Sequence, residues 1–289
     1  MTKTQTARHL SASSQEASVT SGSTSVFRNI LCAVDGTRTS TAAVEMAASL
    51  AGPDGHLTLL AITAVSGSGA YTTAAISPGR VDLVLSNAKR IADDAGVPSR
   101  TVVDPGGPPV EVILERASDH DLLAIGAPAT SWLGGMLIGG VATTALSQIT
   151  TPMLFARRSF TGSLKGRQIL VASDGEEGSD HLVELAGRLG QSQGARVTLV
   201  NAPGAEWKMN PRAIQAQARA LQLALPNAGE PRIELGTAWD VILDAAKHTK
   251  AALVVIGSRQ LHGLHAFGSV SRRVVHDAHC SVLVIPPGQ

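Results

Sequence analysis

The stretch with the clearest chemical potential runs from Leu253 to Ser271 and joins an apolar run, a polar connection and a glycine–serine cluster. The apolar run ends at Gly257, and the cluster is Gly268-Ser269-Val270-Ser271. Glycine permits close backbone approach, and a serine at a helix start caps it while the first N–H groups point outward. Because those N–H groups and the helix dipole attract anions, the pattern predicts a phosphate site at this helix start.

A related unit occurs in the first half of the chain. An apolar run ends there at Gly126, and Gly139-Gly140 follow it after a connection. Their backbone N–H groups can also hold an anion. In addition, Asp35 and Asp174 each follow an apolar run and precede a glycine. An aspartate in that position is either a turn-forming residue or a ligand contact, and both interpretations stay open.

Catalytic and metal-binding patterns are weak. No serine stands in a Gly-x-Ser-x-Gly elbow, and neither a Walker motif nor a paired-carboxylate motif occurs. Histidines cluster near the end of the chain, but no cysteine or carboxylate accompanies them at metal-binding spacing. These histidines are His262, His265, His276 and His279. We therefore expect no enzyme and no metal held by the protein's own side chains.

Composition limits the classes of partner. Hydrophobic residues make up 44% of the chain, aromatic residues 3%, and the formal net charge is +1. These values disfavour a nucleic-acid partner, and no apolar stretch of about 18 residues predicts a membrane span. Cys32 and Cys280 lie in separate halves, each within or beside an apolar run, so we expect buried thiols in a reducing cytoplasm.

The chain divides into a tail, two similar halves and a connection. Residues 1–25 are rich in serine and threonine, which predicts a disordered tail. Asp35-Gly36 recurs as Asp174-Gly175 at an offset of 139 residues (174 − 35), so the second half repeats the first. The predicted units are a first domain over 26–158, a linker over 159–166 and a second domain over 167–287.

Apolar runs alternate with segments of helical periodicity in each half. This gives a predicted β-α-β-α-β-α-β-α-β order, with a helix over 141–148 and last strands at Met153–Ala156 and Val282–Ile285. Such alternation implies mainly parallel sheets with helices on both faces and right-handed crossovers. The predicted fold class is α/β, with two tandem doubly wound five-stranded sheets of Rossmann-like type. Ligands in such folds bind outside the carboxyl ends of the strands.

Taken together, these features resemble the universal stress protein family in a tandem two-domain form. The segments that carry the resemblance are Ala33-Val-Asp-Gly36, Ala172-Ser-Asp-Gly175, Ile125-Gly126, Val255-Ile-Gly-Ser-Arg259, Gly268-Ser-Val-Ser271 and Ala278-His-Cys-Ser-Val-Leu-Val-Ile285. The resemblance implies the adenine nucleotide alpha hydrolase-like fold. It also implies that the last strands of the two domains pair within the chain, and it implies a homodimer.

ATP-binding members of that family carry Gly-x2-Gly-x9-Gly-Ser/Thr after strand four and an aspartate after strand one. This sequence departs from the motif twice: Ala129 and Gln260 stand where the family has its second glycine. The second copy has only seven residues between Gln260 and Gly268. By resemblance, the nucleotide-binding positions are Asp35, Gly126, Gly139 and Gly140 in the first half, and Asp174, Gly257, Arg259, Gly268, Ser269 and Ser271 in the second.

The resemblance implies a cytoplasmic stress-response regulator linked to ATP or another adenine nucleotide, with the second half as the better site. The alternative is a nucleotide-free interaction or scaffolding module in which both sites have decayed. Slow ATP hydrolysis is a third interpretation, for which the sequence offers no catalytic group.

Overall fold

The computed structural model describes residues 25–63, 76–105, 108–127, 150–157, 160, 162–203, 211–258 and 269–287. The predicted helix over 141–148 and most of the predicted tail lie outside these residues. Ser25, at the end of the predicted tail, is buried, and its hydroxyl donates a hydrogen bond to the carbonyl of Ala51. Packing of the first half therefore includes a residue just before the predicted start of the domain.

The first half alternates strands and helices as the sequence predicts. In chain order its described elements are β1 (Asn29–Ala33), α1 (Arg38–Ala51), β2 (His56–Ile62), α2 (Val81–Asp94), β3 (Ser99–Asp104), α3 (Pro109–Ala117), β4 (Leu122–Gly126) and β5 (Met153–Ala156). Helix α1 begins after Thr37, whose hydroxyl accepts from the N–H of Ser40 at 3.2 Å. It ends at Gly52, which has a φ of 60° and donates its N–H to Ala48.

The second half has the same order of described elements, with one more helix described before its last strand. Its described elements are β6 (Gln168–Ala172), α4 (Asp180–Gln193), β7 (Arg196–Asn201), α5 (Pro211–Ala224), β8 (Arg232–Ile233), α6 (Ala238–His248), β9 (Leu253–Gly257), α7 (Ser269–Asp277) and β10 (Ser281–Ile285). Pro211 occupies the first helical position of α5, as predicted. A short 3₁₀ turn over Glu177–Ser179 precedes α4. Strand β8 has only two residues, against six in β3, which agrees with the shorter middle of the second half.

The described strands form one sheet in the order β3-β2-β1-β4-β5-β10-β9-β6-β7-β8. Neighbouring strands within each half are parallel. Strand β5 pairs with β10 in antiparallel orientation, with Leu154 opposite Leu283. The predicted pairing of the last strands is thus confirmed, and it joins the two five-stranded sheets into a ten-stranded one.

Helices cover both faces of this sheet, so the strands are buried and nearly continuous in aliphatic residues. One core contains residues facing α1, α2, α4 and α5, and the other contains residues facing α3, α6 and α7. Trp239 packs against the second core. Among the described residues, no helix is long and apolar enough to cross a membrane.

Candidate functional site

The predicted aspartate and glycine of each half lie at the same edge of the sheet. Asp35 follows β1 and Gly126 ends the neighbouring strand β4, while Asp174 follows β6 and Gly257 ends the neighbouring strand β9. Adjacent parallel strands present their carboxyl ends at one edge, which is where α/β folds bind ligands. The structure thus places each aspartate near its glycine.

Each aspartate stabilises the turn that follows its strand. Oδ1 of Asp35 accepts from the N–H of Thr37 at 2.8 Å. Oδ1 of Asp174 accepts from the N–H of Glu176 at 3.0 Å and from the hydroxyl of Ser179 at 2.5 Å. These are turn contacts of the kind that aspartate commonly makes. They account for the turn-forming interpretation, and nucleotide contact by either carboxylate stays a prediction.

A buried polar network connects the Asp174 turn to the two helices beside it. The hydroxyl of Ser173 donates to Oε1 of Gln217 at 2.6 Å, and Nε2 of Gln217 donates to Oδ1 of Asp180 at 2.7 Å. Ser173 Oγ also accepts the N–H of Gly175 at 3.1 Å. The network links α5 and the start of α4 to the loop that carries Asp174. Buried polar side chains stabilise a fold only when they are paired, so these hydrogen bonds favour the observed conformation of the loop.

Asn201, the last residue of β7, completes the network and leaves one atom unsatisfied. Its Nδ2 donates to the carbonyl of Ser173 at 2.9 Å, and the residue is buried. The amide orientation is fixed because a carbonyl can only accept, so the nitrogen must face Ser173. Among the described residues, Oδ1 has no hydrogen-bond partner. An unpaired buried acceptor is rare, and it suits a donor from a ligand or a water molecule.

The described residues of the first half carry no such network at the equivalent positions. The repeat offsets place Val34 where the second half has Ser173, and Ala61 where it has Asn201. Val84 takes the structural place of Gln217, since both lie in the second helix of their half, Val84 beside Gly36 and Gln217 beside Glu176. All three counterparts are buried apolar residues. Sequence reasoning missed this difference, although a glutamine within the apolar stripe of α5 was a usable signal.

The two strand-end glycines also differ in their surroundings. A methyl group built on Gly126 would lie 2.4 Å from the backbone nitrogen of Ser40 and 2.4 Å from the carbonyl carbon of Thr39. The first turn of α1 therefore packs directly on Gly126. At Gly257, the described neighbour of such a methyl group is Cδ2 of Leu182, at 3.9 Å. The 3₁₀ turn before α4 accompanies this wider spacing in the second half.

Helix α7 begins at Ser269, where the sequence predicts a phosphate site. The backbone of its first turn supplies N–H groups without intrahelical partners. Ser271, two residues further on, is buried with 2% of its surface exposed, so its hydroxyl faces the protein interior. Four of the predicted ligands lie outside the described residues: Gly139, Gly140, Arg259 and Gly268.

Neither the histidines nor the thiols of the described residues form a reactive centre. The described part of the chain contains no cluster of three histidine, cysteine or carboxylate side chains that could hold a metal. His276 is buried, with Nδ1 at 2.6 Å from the carboxylate of Asp277. Burial raises the pKa of the Cys280 thiol to about 12 and also raises the pKa of Cys32. Both cysteines are thus protonated structural residues, as predicted.

The fold and the edge geometry define a tandem α/β protein of the Rossmann-like, nucleotide alpha hydrolase-like class. A family model described as "Universal stress protein family" matches residues 27–157 and again residues 166–286. The chain therefore belongs to the universal stress protein family, with two such domains in tandem. This confirms the resemblance drawn from the sequence and supports a role in stress response.

Individual relatives agree with this assignment. A universal stress protein of Thermus aquaticus is 31% identical over 134 residues, which cover 41% of this chain and 98% of that protein. A universal stress protein structure from Archaeoglobus fulgidus has a TM-score of 0.69 at 18% identity, covering 90% of this chain and 98% of its own. A functionally unknown protein from Pseudomonas aeruginosa has a TM-score of 0.67 at 19% identity, covering 92% and 95%. The last two likenesses show the fold alone.

Proposed function

We propose that the chain is a stress-response regulator whose second half binds ATP or another adenine nucleotide. The phosphates would lie at the start of α7, and the nucleoside would lie near Asp174 and Gly257. Any metal would be a magnesium ion carried by the nucleotide. The protein would act through the bound nucleotide rather than by turning it over, since neither the sequence motifs nor the described residues supply a catalytic group.

The observation that carries this proposal is the buried polar network beneath the Asp174 turn. Burying Ser173, Asn201 and Gln217 costs free energy, and the first half avoids this cost because its equivalent positions are apolar. Paired polar side chains at a ligand-binding edge supply rigidity and directed hydrogen bonds. The unsatisfied Oδ1 of Asn201 adds an acceptor for a ligand N–H. The wider spacing around Gly257 supports the same half.

The competing function is a nucleotide-free interaction module. Ala129 and Gln260, which replace the family's second glycine in the two copies, favour it. In the first half, the close packing of α1 on Gly126 favours it as well. In the second half, the polar network favours a binding site over a nucleotide-free module, because buried polar pairs are costly where no ligand is bound.

Titration of nucleotide-stripped protein tests the proposal. Calorimetry with ATP, ADP, AMP and cyclic AMP should show micromolar binding of at least one of them. Asp174→Ala should weaken that binding at least tenfold, while Asp35→Ala should leave it within twofold. The two variants are matched, because each removes a carboxylate that accepts a turn N–H two residues later. Binding lost only in Asp35→Ala would place the ligand in the first half, and no binding at all would favour the scaffold.

We also propose the domain limits predicted from sequence, 26–158 and 167–287 with a linker over 159–166. A cytoplasmic location and further homodimerisation complete the proposal. Sedimentation of the full chain at several concentrations would test the dimer: one mass equal to a single chain at all concentrations would rule it out.

A further inference from the structure

A buried arginine connects the two halves. Arg157 directly follows β5, the last strand of the first half, and only 2% of its surface is exposed. A buried guanidinium is costly unless its N–H groups are hydrogen-bonded. Burial lowers its pKa to about 10, so the side chain still carries its charge at neutral pH. Its position requires partners that compensate for the lost water.

Those partners are backbone carbonyls at the C-terminal end of α7. Nη2 donates to the carbonyl of Val275 and to that of His276 at 3.4 Å, and Nε donates to Ala278 at 3.1 Å. The last carbonyls of a helix lack intrahelical partners and carry its negative dipole end. Arg157 therefore caps α7 with a positive charge that comes from the other half of the chain.

The same side chain also holds the first half in place. Nη1 donates to the carbonyl of Ala127 at 2.7 Å, directly after the strand-end glycine Gly126. The backbone N–H of Arg157 donates to the hydroxyl of Ser281 at the start of β10. One residue thus links the end of β4, the end of α7 and the antiparallel seam between β5 and β10.

This arrangement is not symmetric. Aligning β5 with β10 places Pro286 at the position that corresponds to Arg157, since each directly follows the last strand of its half. Proline carries no side-chain donor, so it cannot cap a helix in this way. Arg157 therefore supplies a charged cap to the last helix of the second half, and Pro286 cannot supply one in return.

We propose that Arg157 positions the phosphate-binding end of α7, so that the site of the second half is completed by the first half. This inference rests on the proposed function. Helix α7 has nine residues and is thus about 13 Å long. Because the helix is short and its residues Val274 and Val275 are buried, a shift of its C-terminal end would change the direction of the N–H groups at Ser269. In this proposal Arg157 acts on the site through α7 and is a positioning residue.

The test compares variants of the full chain. Arg157→Met keeps an unbranched stem, although a shorter one, and removes the charge and the donors, whereas Arg157→Lys keeps the charge. A matched control is Leu85→Ala, which opens a cavity in the buried face of α2, away from α7. ATP dissociation constants are measured by calorimetry, thermal midpoints by fluorescence, and amide exchange of α7 by mass spectrometry.

We expect Arg157→Met to weaken ATP binding at least tenfold and to speed amide exchange in α7, with Arg157→Lys intermediate. Leu85→Ala should lower the midpoint yet bind ATP within twofold of wild type. Wild-type-like affinity in Arg157→Met would overturn the inference and leave the proposed function intact. If Arg157→Met does not fold, Arg157→Lys decides: binding at least threefold weaker supports the inference, and unchanged binding overturns it. A wild type that binds no nucleotide refutes both proposals.

Discussion

The contrast between Gly126 and Gly257 gives a stability prediction that needs no ligand. In Gly126→Ala, the new methyl group would lie 2.4 Å from two backbone atoms of α1, whereas ordinary contacts begin near 3.4 Å. The start of α1 must therefore move by about 1 Å, although the helix is held by buried residues along its length. Forcing extra atoms into a packed site costs about 1–3 kcal/mol, or about 2–12 °C in thermal midpoint.

Gly257→Ala is the matched control. Neither glycine has a positive φ, so alanine meets no backbone strain at either position. At Gly257, the methyl group meets Cδ2 of Leu182 at 3.9 Å, an ordinary contact, so the change should stay within about 0.5 kcal/mol. Thermal and urea unfolding of both variants measure the difference. Equal losses in the two variants, or a larger loss in Gly257→Ala, would refute the reasoning.

Three further predictions follow from described contacts. Gln217→Val should cost about 1–3 kcal/mol in urea unfolding, because the buried hydroxyl of Ser173 loses its acceptor; an unchanged midpoint would show that the network is not stabilising. Burial, together with the nearby positive charge of Arg100, lowers the pKa of His120 from its ordinary value of 6.5. The unfolded chain then binds more protons at this histidine, so the stability contributed by neutral His120 should be fully present above about pH 6.5 and should fall as the pH drops through the folded pKa. His120→Gln should therefore flatten the dependence of unfolding free energy on pH between about pH 5 and 7. Cys32 and Cys280 should resist a thiol reagent in the native protein and react on unfolding, and fast labelling at pH 7 would contradict their burial.

The described strands and helices could be predicted because their causes are local. Apolar runs such as Met153–Ala156 define buried strands, and the spacing of apolar residues from Val81 onward defines a helix. The pairing of β5 with β10 has no local cause and is implied by the family resemblance; it covers strand edges that would otherwise be exposed.

The site could be predicted only in outline because its distinguishing contacts join distant residues. Ser173 and Gln217 are 44 positions apart, and Arg157 reaches Ala278 across 121 positions. From sequence alone, an arginine after a strand is expected to be exposed to solvent, and Arg157 is buried because residues of the second half cover it. Likewise, Gly126 and Gly257 end similar strands, and only their packing against the following helices separates them.

The antiparallel seam between β5 and β10 also has an evolutionary consequence. In a symmetric pair of identical chains, every substitution at such a seam appears twice, so an arginine cap on one side comes with an arginine on the other. Fusion into one chain lifts that restriction, because each side is encoded separately. It also makes the pairing intramolecular and hence independent of protein concentration. Arginine at position 157 and proline at the equivalent position 286 are the pattern expected when one side can specialise as a binding unit and the other as its support.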